Sequence, residues 1–205
     1  MESNIILALD IEAKEKALKV AEEVRDYVKA FKVGYPLILG NGVGVIKEVA
    51  KIGEVIVDLK IADIPDVSKN IAKIATSQGA DGIIVHGFVG RDVVRDVRKE
   101  SKDLYVVAEM SHPGSGEFIS GVSEKIAIMA KEEGADGIVA PATRPERIRI
   151  LKDVSGLKVL SPGVGTQGGS YKDALESGAD YLIVGRSITM SSSPTQKIKE
   201  LLAQR

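Results

Sequence analysis

The chain has 205 residues, 44% of them hydrophobic and only 4% aromatic, with 28 Lys and Arg against 29 Asp and Glu. A net charge of −1 without a basic tract or arm gives no footing for a nucleic-acid surface, and no apolar run approaches the roughly 20 residues that cross a bilayer. The absence of cysteine excludes disulfides, thiol catalysis and cysteine-ligated metals. The start, Met1-Glu2-Ser3-Asn4, lacks the basic region and cleavage site of a secretory signal, so a cytoplasmic protein is expected.

Apolar runs fall at 5–10, 30–36, 54–61, 81–87, 104–110, 136–141, 157–163 and 181–188. Most are continuously apolar rather than alternating, as parallel strands covered on both faces are. Amphipathic stretches lie between them. Ala13, Ala17, Val20, Ala21, Val24 and Val28 follow helical spacing with Lys and Glu between, and similar patterns occupy 43–51, 67–78, 92–99, 123–133, 145–154, 171–176 and 195–203. A repeat reinforces the alternation: Gly79-Ala80-Asp81, Gly134-Ala135-Asp136 and Gly178-Ala179-Asp180 each stand before an apolar run. Each copy reads as a helix-ending glycine, a short turn and a buried strand. Eight βα units over residues 1–205 predict one α/β domain, a compact (β/α)8 TIM barrel. A doubly wound open sheet fits less well, because no glycine-rich dinucleotide fingerprint follows the first strand.

In such a barrel the active site lies at the C-terminal strand ends, and here those ends are polar again and again. Asp10 closes the first run, although taken alone it reads as a cap for the helix beginning near Glu12. Lys32 interrupts the second; facing inward it needs an anion, and Asp58 on the next strand is the nearest candidate. The segment Asp58-Leu59-Lys60-Ile61-Ala62-Asp63-Ile64-Pro65 closes the third run. Strand alternation puts Asp58 and Lys60 on one side, with Asp63 in the turn before a helix opened by Pro65. Lys32, Asp58, Lys60 and Asp63 thus alternate in sign, and stability alone motivates such a buried cluster poorly. Ser111 follows the fifth run, while Glu109 shares its face without an assigned role.

The loop Gly163-Val164-Gly165-Thr166-Gln167-Gly168-Gly169 reads as flexible, and with Gly185-Arg186-Ser187 it follows the last two strands, where barrels commonly hold phosphate. Arg186 offers that phosphate a bidentate partner. His86 and His112 belong to no ligand triad, so local hydrogen bonding at loop starts is expected of them, and no metal site is expected.

These residues resemble the orotidine 5′-monophosphate decarboxylases in their compact archaeal and bacterial form. The resemblance spans essentially the whole chain. Its anchors are Leu9-Asp10, Phe31-Lys32-Val33-Gly34, the Asp58–Pro65 segment, Met110-Ser111-His112-Pro113-Gly114, Pro162–Gly169 and Val184-Gly185-Arg186-Ser187. It implies cofactor-free conversion of orotidine 5′-monophosphate to uridine 5′-monophosphate and CO2. It implies Lys60 as the acid at C6, Asp58 beside the departing carboxylate, and Lys32 and Asp10 on ribose hydroxyls. It further implies Ser111 on the pyrimidine edge, Gln167, Arg186 and the Gly185 backbone on the phosphate, and Pro162 and Gly163 among the substrate-binding residues. Asp63 would come from the partner in a homodimer. Metal-dependent sugar-phosphate enzymes of the same barrel share the Asp-x-Lys-x-x-Asp motif but carry a glutamate ligand where Lys32 stands, and a lysine there repels a divalent cation. The other alternative is a non-catalytic phosphate-binding barrel, which would not need the charge array. Two positions depart from the family pattern: Val67, where a polar residue is common, and Thr189, where a tyrosine is common.

Overall fold

A computed structural model describes residues 3–204. Met1, Glu2 and Arg205 lie outside the described residues, and with them the first two positions of the expected leader-free start and the last of the 1–205 domain. Eight parallel strands close into a barrel in sequence order. They are β1 (Ile5–Ala8), β2 (Ala30–Gly34), β3 (Val55–Ile61), β4 (Gly82–His86), β5 (Asp103–Val107), β6 (Gly137–Val139), β7 (Lys158–Pro162) and β8 (Tyr181–Val184). Every expected strand is present, with helices between successive strands.

Alternation along each strand divides the core into two shells. Ile6, Ala8, Ala30, Ile56, Ile84, Tyr105, Val107, Val139, Leu160 and Ile183 pack inside the barrel. Their neighbours Ile5, Leu7, Phe31, Val55, Val57, Ile83 and Val106 face the helices. Both faces are therefore apolar, which is why the strands read as unbroken apolar runs. The same alternation carries the inward stripe from Ala30 to Lys32 on β2 and from Ile56 to Asp58 on β3, so these two charges inherit an inward direction from the pleat.

The helices follow from their apolar spacing. Lys14–Val24 buries Ala17, Val20, Ala21 and Val24, and proline opens the helices Pro65–Ser77, Pro145–Ser155 and Pro194–Leu202. The threefold repeat builds the floor of the barrel. Gly79, Gly134 and Gly178 take φ of 98°, 74° and 103°, turning the chain after each helix. The aspartate that follows accepts a hydrogen bond from the opening backbone of the preceding strand: Asp81 from Val55 N at 3.1 Å, Asp136 from Leu104 N at 2.8 Å and Asp180 from Val159 N at 2.7 Å.

The runs overshoot the strands. The second stops at Gly34 and turns into the helix Tyr35–Asn41, with Pro36 in its first turn, and the last stops at Val184, before the short helix Arg186–Thr189. A short apolar run does not itself distinguish strand from helix, and once the chain leaves the barrel wall no neighbouring strand holds it extended. The short helix Ser115–Phe118 also lay outside the expected pattern, its four residues being too few to show a period.

Candidate active site

At the C-terminal end of the barrel a cavity of about 620 Å³ opens. Asp10, Lys32, Asp58, Lys60, Ser111, Pro162, Gly163, Gln167, Gly185 and Arg186 all line it, so residues from six strand ends meet in one place.

Its centre is a chain of alternating charge. Lys32 Nζ lies 3.1 Å from Asp10 Oδ1 and 3.2 Å from Asp58 Oδ2, and Lys60 Nζ lies 2.8 Å from the same Asp58 oxygen. Asp10 therefore serves Lys32 rather than capping a helix: the Lys14–Val24 helix has Ala13 at its N-cap and no side-chain cap. Asp58 is only 5% exposed and Lys32 only 6%. Burial alone would push the Asp58 carboxyl up, but Lys32 and Lys60 outweigh it and hold it below its ordinary value. Burial likewise works against the Lys32 ammonium, and Asp58 and Asp10 outweigh it, raising Lys32 above the usual lysine value. Both groups are thus charged at neutral pH, in a setting where an unpaired charge would be prohibitive.

Two backbone features make the array possible. A Cβ at Gly34 would lie 2.8 Å from Asp10 Oδ1 and 3.3 Å from Lys32 Nζ, so a side chain there would push the Asp10 carboxylate away from its place beside Lys32. Lys60 has φ of +42°, and the β3–β4 register shifts between Val57 and Ile61. Lys60 and Asp58 meet, as simple alternation predicts, but on a kinked strand end. A lysine in the left-handed region costs on the order of 1 kcal/mol and persists only where its surroundings impose it.

Asp63 is not drawn into this array. It is exposed, its carboxylate accepts from Ile64 N at 2.7 Å, and it does not line the cavity. Beside it Ile64 and Val67 are exposed as well. Thr189, the other departure from the family pattern, is buried in the Arg186–Thr189 helix.

The loop after β7 folds on itself through Gly165 N to Gly169 O, Gly168 N to Gly165 O and Gly169 N to Gly163 O, at 3.0, 2.8 and 3.0 Å. These hydrogen bonds close it into a turn. Ser111 Oγ donates to Gln167 Oε1 at 2.7 Å, joining this loop to the one after β5. On the adjacent strand end, the exposed Arg186 side chain follows Gly185 after β8.

His86 departs from the expected local hydrogen bonding. His86 is buried, its Nδ1 has no hydrogen-bond partner, and its ring packs on Phe88 with centroids 4.6 Å apart. Burial, followed by the nearby Lys60 charge, lowers its pKa to about 4, so it is neutral at pH 7. His112 lines the cavity. Among the described residues no group of three or more histidine or acidic side chains is placed to hold a metal ion. The apolar lining, Ile84, Val107, Val139 and Ile183, was not among the expected site residues. The signal was present, since each sits on the inward stripe of its strand.

The model of the orotidine 5′-phosphate decarboxylase / HUMPS family matches residues 3–201. The chain belongs to this family. The orotidine 5′-phosphate decarboxylase of Methanococcoides burtonii is 50% identical over 205 residues, covering 97% of this chain and 95% of that protein. That of Pyrococcus furiosus is 48% identical over 204 residues, covering 98% and 96%. Among solved structures, orotidine 5′-monophosphate decarboxylase from Methanocaldococcus jannaschii complexed with the inhibitor BMP superimposes with a TM-score of 0.95 at 45% identity. That alignment covers 100% of this chain and 99% of the other. Members of the decarboxylase family thus share both this barrel and its length.

Proposed function

We propose that the charge array decarboxylates orotidine 5′-monophosphate without metal or organic cofactor, with Lys60 as the proton donor. The chain is a carboxy-lyase of the orotidine 5′-monophosphate decarboxylase type, forming uridine 5′-monophosphate and CO2 for pyrimidine synthesis. One observation carries the residue assignment: a buried Asp58 held between two lysines inside the cavity.

A substrate carboxylate seated beside Asp58 puts two anions about 4 Å apart, which repel by roughly 4 kcal/mol at an effective dielectric near 20. When the C6–carboxylate bond breaks, CO2 leaves neutral and the electron pair remains on C6. The Lys60 ammonium faces that developing charge and transfers its proton to C6, then regains one from solvent. Repulsion is relieved and attraction gained along the same coordinate, so the site favours the carbanion-like transition state over the substrate. Lys32 has two duties in this reading, fixing Asp58 and, with Asp10, binding ribose hydroxyls.

Ser111 reads the pyrimidine edge. Gln167, Arg186 and the backbone around Pro162, Gly163 and Gly185 take the phosphate, whose binding energy, remote from C6, contributes to organising the site. Asp63 completes the neighbouring site in a two-fold homodimer. Its position outside its own cavity supports that reading, as does the exposed Ile64 and Val67 beside it. The substrate is a soluble nucleotide, and the cytoplasm is the proposed setting.

The deciding assay is incubation with orotidine 5′-monophosphate in excess EDTA, following the loss of pyrimidine absorbance. Full turnover after exhaustive chelation is expected. A strict requirement for magnesium would overturn the assignment in favour of a metal-dependent sugar-phosphate enzyme of the same barrel.

A further inference from the structure

Glu109 is fully buried, two residues past the end of β5 and next to Met110 and Ser111, which line the cavity. Its carboxylate accepts from Arg147 Nε at 2.9 Å, Arg144 Nε at 3.2 Å and Ser120 Oγ at 3.0 Å. Burial alone would raise this carboxyl, but the hydrogen bonds, that from Arg147 foremost, hold it below its ordinary value.

The arginines and their neighbour Thr143 reach further. Arg144 Nη2 donates to Met110 O at 2.6 Å, Thr143 Oγ1 donates to Ser111 O at 3.1 Å, and Arg147 Nη2 donates to Ser123 Oγ at 2.6 Å. The loop from 109 to 123 is therefore fastened at both ends to the head of the Pro145–Ser155 helix. Between those ends it carries Ser111.

A buried carboxylate with two arginines is a poor way to gain stability, because apolar packing of the same volume does as well or better. What it supplies is directional. Apolar contacts would tolerate a shift of the loop by a fraction of an ångström, whereas charged hydrogen bonds of fixed geometry do not. The backbone here has no strand to fix it: Ala108 N and Glu109 N both donate to Val139 O, at 3.2 and 3.1 Å, where the chain leaves the sheet.

We infer that Glu109 is a positioning residue, which through Arg144 and Arg147 holds Ser111 at the height needed to recognise the pyrimidine ring. This rests on the proposed role of Ser111 at the pyrimidine edge. It separates recognition into two parts. The ring is read by a loop clamped through Glu109, and the phosphate is held by the loops after β7 and β8.

Glu109→Gln tests it, since the amide keeps the volume and loses the charge. Binding of uridine 5′-monophosphate and of ribose 5-phosphate is measured by calorimetry on folded protein. The variant should bind the nucleotide about tenfold more weakly, the worth of one good hydrogen bond, with ribose 5-phosphate within about twofold of wild type. In a Ser111→Ala background the same change should cost the nucleotide nothing further, because Glu109 acts through Ser111. Should Glu109→Gln not fold, Ser120→Ala removes one neutral hydrogen bond from the same carboxylate, with an expected selective loss of about threefold. Equal losses for both ligands, or no loss for either, would overturn the positioning role, as would a full additional loss in the Ser111→Ala background. A wild-type protein that neither turns over orotidine 5′-monophosphate nor prefers the nucleotide to ribose 5-phosphate would instead overturn the proposed function itself.

Discussion

The two ends of the barrel treat charge differently. At the floor it is paired locally and stays near solvent. Lys102 meets Asp81 at 3.0 Å, Lys29 meets Glu54, and the repeated aspartates tie down strand starts. At the roof the charges are shared. Asp58 lies between two lysines and Lys32 between two carboxylates, and Asp58 and Lys32 are themselves buried. The same two strands make the contrast, since Lys29 and Glu54 precede β2 and β3 while Lys32, Asp58 and Lys60 lie within them. At the floor, Lys29, Glu54 and Asp81 line a smaller cavity of about 180 Å³. The roof array keeps a charged face open to a cavity of about 620 Å³, and that open face makes it a site.

If the roof is built for chemistry, its removal should abolish turnover while leaving the barrel folded. Lys60→Ala removes both the proton donor and the charge facing C6, so kcat should fall by more than about 10⁴-fold. Binding of uridine 5′-monophosphate should survive, because the phosphate contacts remain. Steady-state kinetics beside calorimetry checks this, and a variant within tenfold of wild type would remove Lys60 from the reaction.

The same contrast shows how much could be read in advance. The barrel was legible because inner and outer faces are both apolar, so each strand announces itself as a run, and because Gly-Ala-Asp recurs at the floor. Lys32, Asp58 and Lys60 were legible because a charge at the end of a buried apolar run must be paired, and pairing draws the partners to one place. Glu109 was not, since its partners Arg144 and Arg147 are about 35 residues away on another unit. The kink at Lys60 was hidden too, as no residue type marks a lysine for positive φ. Nor could the run over 181–188 reveal that it splits at Gly185 into strand and helix. Pairing across loops, rather than pattern within them, decides these features.

Asp63 tests whether the roof is complete within one barrel. Lys60→Ala and Asp63→Ala, each expected to be nearly inactive, can be unfolded, mixed equally and refolded. If Asp63 serves the partner, a mixed dimer has one site with both lesions and one with neither. Random pairing then restores about a quarter of wild-type activity. Absence of recovery, with subunit exchange demonstrated, would mean that each barrel completes its own site.

Arg186 should separate grip from chemistry within the roof. Its side chain lines the cavity at the end of β8, away from the proton donor on β3. Arg186→Ala should weaken substrate binding by roughly 1.5–3 kcal/mol, about 10- to 150-fold in KM, for the loss of a charged hydrogen bond. Turnover at saturation should change far less, since the proton donor and Asp58 are untouched. An unchanged KM would show that the phosphate lies elsewhere.

The floor should give the opposite result, with stability altered and kinetics not. Asp136→Ala removes the acceptor of Leu104 N and leaves that N–H without its partner at the opening of β5. An unsatisfied buried donor costs about 1–2 kcal/mol, which in a protein of this size lowers Tm by about 2–8 °C. β5 leads upward to Glu109 and Ser111, so a strand that transmitted its floor to its roof would carry the change into the site. The ladders to β4 and β6 that fix β5 in the wall argue against transmission, because packed interiors resist graded displacement. Thermal melts should therefore show the shift while kcat and KM at 25 °C stay within about twofold of wild type. A loss of turnover comparable to that of Lys60→Ala, or a rise in KM comparable to that of Arg186→Ala, would mean that floor and roof are one coupled unit rather than two.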